Sequence, residues 1–365
     1  MKLLIINEVC GHTSTGKICG KIGDHYNSKG WDVKIAYGRD GYVPDKYKKY
    51  AVRIGNDLDV RVAALQVRVF DNAGFANIKA TKKFLKWVDD YKPNMIWLHN
   101  LHGYYINIKL LFEWLKENPN IEKRWTLHDC WSFTGHCTHF ESVACNRWKQ
   151  KCYSCVQKKR YPKSILLDQS RRNYCIKKEI FSNVQNLHIY TPSKWLAQHV
   201  KDSFLGEYPI EVRYNTIDKS TFKPTKSEFR SKYNLEEKKI ILGVANIWDE
   251  RKGLNDFLEL AKQLSKNEVI VLVGLTKTQI NRMPKNIIGI EKTKDARELA
   301  AIYTAADIFF NPTYEDNYPT VNLEAEACGL PVVTYDTGGC EETISNINSK
   351  VIPKGIEYFL NILRA

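Results

Sequence analysis

Three groups of residues in this sequence have types and spacings that could do chemistry. The first runs from Cys10 to Ile18, "CGHTSTGKI", directly after an apolar run. It fits a phosphate-binding P-loop as far as Lys17, but Ile18 stands where Ser or Thr should hold Mg²⁺, which argues against a P-loop kinase or ATPase. The second runs from Asn311 to Gly339, "NPTYEDNYPTVNLEAEACGLPVVTYDTGG", and carries the acids Glu315, Asp316 and Glu324. The third is the cysteine series Cys137-x7-Cys145-x6-Cys152-x2-Cys155. Four thiols at these spacings suffice for a structural Zn²⁺, with His136 or His139 able to replace one of them; reduced cysteines packed with Trp131, Phe133 and Trp148 are the alternative.

The elements that must position these groups follow from hydrophobic patterning. Short continuous apolar runs recur: "KLLIIN", "DVKIAYG", "NMIWLHN", "RWTLHD", "NLHIYTPS", "KIILGVAN", "VIVLVG", "DIFFNPT" and "PVVTYD". They alternate with helical segments such as "IKATKKFLKWVDDY" and "LNDFLELAKQLSK", the pattern of parallel strands buried on both faces. The series restarts at "KIILGVAN", so we read two doubly wound α/β domains, with ligands expected at the carboxyl ends of the strands and in the cleft they face. The expected bounds are 1–214 and 215–350, followed by a C-terminal helix at 351–365 that reads as truncated. The stretch near 130–170 lacks periodicity and reads as a Cys-rich insertion on the first domain.

In the second group, Pro319 suits a first helical turn and Gly329 with Pro331 stops the helix. On that helix Val321, Glu324, Ala325 and Cys328 share a stripe, so Glu324 is expected to face inward and to need a partner, whereas Glu326 should be solvated. The loop and helix N-terminus before Glu324 form an anion site, which favours a ligand contact for that acid.

Composition sets the partners. The chain has 365 residues, a hydrophobic fraction of 43% and an aromatic fraction of 12%, as a globular protein of two domains should. No apolar run approaches the length of a membrane span and the N-terminus is no signal peptide, so a cytoplasmic protein, peripheral on the inner face of the cytoplasmic membrane, is expected. Residues 1–214 hold 35 Lys and Arg against 20 Asp and Glu, while the remainder is nearly balanced. An anionic partner therefore meets the first domain, and basic–aromatic stretches such as "RWKQK", "KKRYPKS" and "RRNY" fit an anionic membrane better than nucleic acid, for which there is no reading module.

The second group resembles the signature of retaining glycosyltransferases of family four, which have the GT-B fold: two Rossmann-like domains facing each other across a cleft. In that family two acids separated by seven residues precede a small-residue helix that ends in Gly and Pro. Here the second acid is Glu324 and the first is Asp316, with Glu315 just before it. The resemblance implies that Glu324 binds the ribose hydroxyls of a nucleotide sugar and Asp316 the donor-sugar hydroxyls. It also places the backbone amides from Asn317 through Tyr318 and Thr320 to Val321 close to the diphosphate. "GVANIWDERKGLNDF" resembles the family's phosphate-binding segment, so Lys252 would neutralise the leaving diphosphate. The usual Arg six residues earlier is Asn246, and the second positive charge falls to Arg251. "TLHDCWSFTGHC" and "WLHNLHGYY" resemble cleft-facing strand ends, with His128 matching a His near the donor sugar; His99, His102 and His136 receive no catalytic role. "YNTIDKSTFKP" resembles the interdomain segment, with Thr216 where Gly is common. By the same resemblance Gly16 lets the backbone approach the donor diphosphate or acceptor, and Lys17 adds charge there.

The expected function is transfer of a hexose from a UDP- or GDP-sugar to a glycan or polyprenyl-diphosphate-linked acceptor in bacterial surface polysaccharide synthesis, with no obligatory catalytic metal and no nucleic acid. A non-hydrolysing sugar-nucleotide epimerase of the same fold would act without an acceptor. A nucleic-acid-binding protein with a zinc module is the non-enzymatic alternative.

Overall fold

The computed structural model describes residues 1–364, which fall into two compact units, 1–213 and 214–364. Each is built on one fully parallel sheet. The first unit contributes β1 (Lys2–Ile6), β2 (Asp32–Tyr37), β3 (Ala51–Arg53), β4 (Met95–Leu98), β5 (Glu122–Thr126), β6 (Leu187–Thr191) and β7 (Ile210–Val212). The second contributes β8 (Lys239–Val244), β9 (Glu268–Val273), β10 (Ile287–Ile290), β11 (Ile308–Asn311), β12 (Val332–Tyr335) and β13 (Lys350–Ile352).

The strand orders are β3-β2-β1-β4-β5-β6-β7 and β10-β9-β8-β11-β12-β13. In both sheets the chain reverses direction of travel at its first strand, β1 and β8, and there the crevice at the carboxyl edge opens. Side chains alternate between two apolar layers, as the strand period of two requires. Leu4, Ile6, Ile96 and Leu98 face one layer of the first unit, and Leu3, Ile5, Val33, Ile35 and Trp97 face the other. The second unit repeats this with Ile241, Ile270, Leu272 and Val333 on one face and Ile240, Leu242, Val271 and Val332 on the other. Both faces must be covered by helices, so the strands read as continuous apolar runs.

The insertion between β5 and the helix Ser170–Phe181 contains only three short 3₁₀ turns, at Trp131–Phe133, Glu141–Val143 and Arg147–Lys149. Buried polar contacts hold it in place of regular structure. Lys177 donates to the carbonyls of Trp131 at 2.7 Å and Thr134 at 3.1 Å, with its ammonium 3.4 Å from the Trp131 ring centre. Burial pushes this lysine down to about 7. His136 Nδ1 pairs with the carboxylate of the buried Asp71, whose other oxygen accepts from the amide of Gln169 at 2.8 Å. Among the described residues no helix is long and apolar enough to cross a membrane.

Candidate functional site

The carboxyl ends of β8 and β11 are neighbours, registered through Ile308 opposite Ile241 and Phe309 opposite Leu242. After β8 a 3₁₀ turn, Glu250–Lys252, is capped by Asp249, whose side chain accepts from the Lys252 amide at 2.9 Å. Gly253 closes the turn at φ +75°, where a Cβ would stand 2.2 Å from the Pro312 carbonyl oxygen. Only glycine lets this turn lie against the end of β11. Two contacts then join the loops: the Tyr314 amide donates to the Arg251 carbonyl at 2.8 Å, and Arg251 Nη1 donates to the Glu315 carbonyl at 2.8 Å.

The result brings Lys252 Nζ onto the carboxylate of Asp316, both side chains about one-fifth exposed. Asp316 also accepts from the Tyr318 amide at 3.2 Å. From the other side Gly338, at φ +56°, packs so closely that a Cβ would meet the Asp316 carbonyl oxygen at 1.7 Å. Arg251 and Lys252 thus flank an acidic loop in which Glu315 and Asn317 are buried.

The following helix spans Thr320–Ala327, with Pro319 at its N-cap rather than in its first turn. Its inward residues are Asn322, Ala325 and Cys328; Val321 and Glu324 are half-buried, because Asn322 turns the helix to bond the sheet. Asn311 Nδ2 donates to Asn322 Oδ1 at 2.9 Å, and Asn322 Nδ2 donates to Thr343 Oγ1 at 2.8 Å. Glu324 receives the hydroxyl of the fully buried Tyr303 at 3.2 Å. Burial, and then Glu324, hold that phenol well above its ordinary value. Glu326 is not simply solvated: its carboxylate accepts from the amides of Ser345 and Asn346 and from the hydroxyls of Ser345 and Ser349, at 2.6–3.0 Å. Of the amides expected to face a diphosphate, Tyr318's is taken by Asp316, and those of Thr320 and Val321 open the helix.

In the first unit the carboxyl ends of β1, β4 and β5 gather Glu8, His99, His102, His128 and Asp129. His128 Nε2 lies 2.9 Å from His99 Nδ1, with the rings stacked. Burial pushes His128 down to about 4, and His99 lower than its ordinary value for the same reason. Both are therefore neutral at pH 7. His102, given no role by its sequence position, is the hub: Nε2 lies 2.8 Å from Asp129 Oδ2 and Nδ1 lies 3.0 Å from the Tyr161 hydroxyl. Burial disfavours charge on both groups, yet their pairing wins, holding Asp129 down to about 2 and raising His102. Arg39 reaches Glu8 at 3.1 Å. Two histidines in "WLHNLHGYY" and the pair His128-Asp129 were the only signs of this network in the sequence.

The opening loop has another reason for its glycine. Gly16 is buried, and a Cβ there would come within 3.0 Å of Val9 Cγ2 and 3.2 Å of the Gly11 nitrogen. The missing side chain admits the helix Thr13–Ser28 against the loop after β1, while Lys17 is exposed. The four-thiol zinc site also finds no ready geometry: among the described residues no group of three or more His, Cys, Asp or Glu could hold a metal ion. Instead Cys137 and Cys155 hydrogen bond as a pair, which lowers Cys155 to about 7 and raises Cys137, and Cys152 Sγ accepts from the Gly135 amide at 3.2 Å.

Residues 225–355 match the sequence family "Glycosyl transferases group 1". The chain is 25% identical over 276 residues to the putative colanic acid biosynthesis glycosyl transferase WcaC of Escherichia coli K12, covering 71% of this chain and 64% of that protein. It is 31% identical over 130 residues to the N,N'-diacetylbacillosaminyl-diphospho-undecaprenol alpha-1,3-N-acetylgalactosaminyltransferase of Campylobacter jejuni, covering 33% of each. The chain thus spans between one third and just under two thirds of these relatives. Among solved structures, the sucrose-phosphate synthase of Thermosynechococcus elongatus superposes with a TM-score of 0.71 at 15% identity, over 100% of this chain and 88% of that one. The chain therefore has the two-sheet α/β architecture of GT-B glycosyltransferases, and its residues 225–355 form a glycosyl transferases group 1 domain.

Proposed function

We propose that the protein is a retaining glycosyltransferase that moves a hexose from a UDP- or GDP-sugar to a glycan or polyprenyl-diphosphate-linked acceptor in bacterial surface polysaccharide synthesis. The observation that carries this reading is the meeting of Lys252 with Asp316 in the loop after β11, with Glu324 one turn into the helix that follows. A cation and an acid brought together from two loops, beside a helix N-terminus, suit a diphosphate joined to a hydroxyl-rich sugar.

In this reading Glu324 holds the ribose hydroxyls and Asp316 the donor-sugar hydroxyls. Lys252, Arg251 and the amides of Thr320 and Val321 stabilise the leaving diphosphate, an electrostatic contribution that is often the largest in catalysis. The bond from the anomeric carbon to the phosphate oxygen breaks, and the acceptor oxygen bonds that carbon on the same face. The acceptor proton passes to the departing phosphate oxygen. The two cations supply the countercharge that a metal would otherwise provide, so we propose no obligatory catalytic metal. Neutral His128 can exchange a hydrogen bond with a sugar hydroxyl without adding charge. The basic first unit would rest on the anionic inner face of the cytoplasmic membrane, where a lipid-linked acceptor lies; the Campylobacter relative is named for such an acceptor.

The test is a panel of UDP- and GDP-sugars scored by nucleotide release, run beside Glu324→Ala. Release that depends on an acceptor and falls roughly a hundredfold in the variant is expected. Release unchanged by Glu324→Ala, or an epimeric nucleotide sugar formed without acceptor, would overturn the reading.

A further inference from the structure

The helix Asp57–Phe70 is apolar on two opposite faces. Ala63 and Val67 turn inward and are buried, whereas Leu58, Val62 and Leu65 form an outward stripe at spacings of four and three. The stripe does not stop at the helix. Two backbone hydrogen bonds, from the Ile165 amide to the Arg68 carbonyl at 2.7 Å and from the Leu167 amide to the Val69 carbonyl at 3.2 Å, lay the tripeptide Ile165-Leu166-Leu167 of the insertion against the last turn. These six side chains are 43–68% exposed. Isolated exposed leucines are ordinary, but six exposed aliphatic side chains on one helix and on the tripeptide bonded to its last turn call for an occupant.

Charge identifies the occupant. Arg61 and Arg68 stand one heptad apart along one flank of the stripe, and Lys159, Arg160 and Lys163 precede the tripeptide, all exposed. The nearby acids are engaged locally: Asp57 with Arg53, Asp59 in the helix cap with Asn56, and Asp168 with Ser170 and the Cys155 amide. A second copy of the chain on this face would press rows of cations together. A bilayer with anionic headgroups answers both the apolar row and its basic border.

We propose that this face, helix Asp57–Phe70 together with Ile165-Leu166-Leu167, is the surface by which the protein docks on an anionic phospholipid bilayer. The inference rests on the peripheral-membrane reading above and assigns it to residues. The leucines enter the acyl boundary while the arginines and lysines meet phosphate groups.

The experiment is co-sedimentation of the full chain with vesicles of phosphatidylcholine alone and of equal parts phosphatidylcholine and phosphatidylglycerol. Binding to the mixed vesicles only, weakened by salt, is expected. Leu65→Ser combined with Leu166→Ser should bind about tenfold more weakly with unchanged thermal stability, because both side chains are exposed. Ile347→Ser, at a 95% exposed position of the second unit, should bind as the wild type does. Leu166→Trp should shift its emission to the blue on mixed vesicles. If the wild type does not bind mixed vesicles, the membrane reading and this surface both fall. If it binds and the double serine variant binds equally, only the surface assignment falls. A dimer that the double variant dissociates, with vesicle binding intact, would show the face to join copies and would also overturn the proposal.

Discussion

Lys252 and Asp316 form an ion pair across 64 positions of sequence, linking the turn after β8 to the loop after β11. Each holds the other in place while leaving one-fifth of its side chain open to a ligand. Lys252→Ala removes the cation proposed to face the donor and leaves Asp316 without that countercharge. Nucleotide release should fall about a hundredfold or more. Retention of wild-type release by Lys252→Ala would separate this pair from the chemistry.

Gly338 predicts a loss of activity through backbone alone. With φ +56° and the Asp316 carbonyl 1.7 Å from where a Cβ would be, Gly338→Ala cannot be accommodated without moving the acidic loop. The variant should lose nucleotide release while far-ultraviolet dichroism reports an intact fold. Ala at Gly30, which has open space around it, pays only for its positive φ and should keep activity.

Acid should destabilise the first unit in a defined window. His128 is pushed down to about 4 in the folded chain against an ordinary 6.5, so below pH 6.5 the unfolded chain binds a proton that the folded one refuses. Stability is therefore complete above 6.5 and is lost as pH falls toward 4, by up to about 3 kcal/mol for this group. His99 acts in the same direction, and His102, raised by Asp129, acts in the opposite one. Thermal melts from pH 7 to 4 should show the fall, and His128→Asn should flatten it. An equally steep fall in the variant would remove His128 as its source.

Glu326 supports the loop 345–349 and touches none of the proposed donor contacts. Glu326→Ala should lower stability by about 1–3 kcal/mol, since amides and hydroxyls lose a charged acceptor. Hydrogen exchange at Ser345 and Asn346 should accelerate, and nucleotide release per folded molecule should remain at the wild-type level. Unchanged exchange at those amides would count against the anchoring role.

The nine apolar runs visible in the sequence are the nine interior strands of the two sheets. The four strands that went unseen, β3, β7, β10 and β13, are the four edges. An edge strand is three or four residues here and faces neighbours on one side only, so it needs no continuous apolar run to declare it. The helix from Thr320 and its stop at Gly329 were legible because Pro, Gly and small residues punctuate locally. The orientation of that helix was not, because it is set by Asn311 and Asn322, two polar residues whose meeting depends on packing. Glu326 illustrates the same limit: an acid on the outer side of a helix looks solvated until a distant loop folds over it. The cysteine spacing, likewise, could not say which thiols would pair.

Three polar anchors of the insertion reach partners outside it. His136 pairs with Asp71, Trp131 lies beneath Lys177, and Tyr161 reaches His102. The segment 130–170 is thus no interchangeable cassette. A chimera that imported this stretch from a relative would have to carry positions 71, 102 and 177 with it, and any change of specificity written into the insertion is inherited together with the framework that receives it.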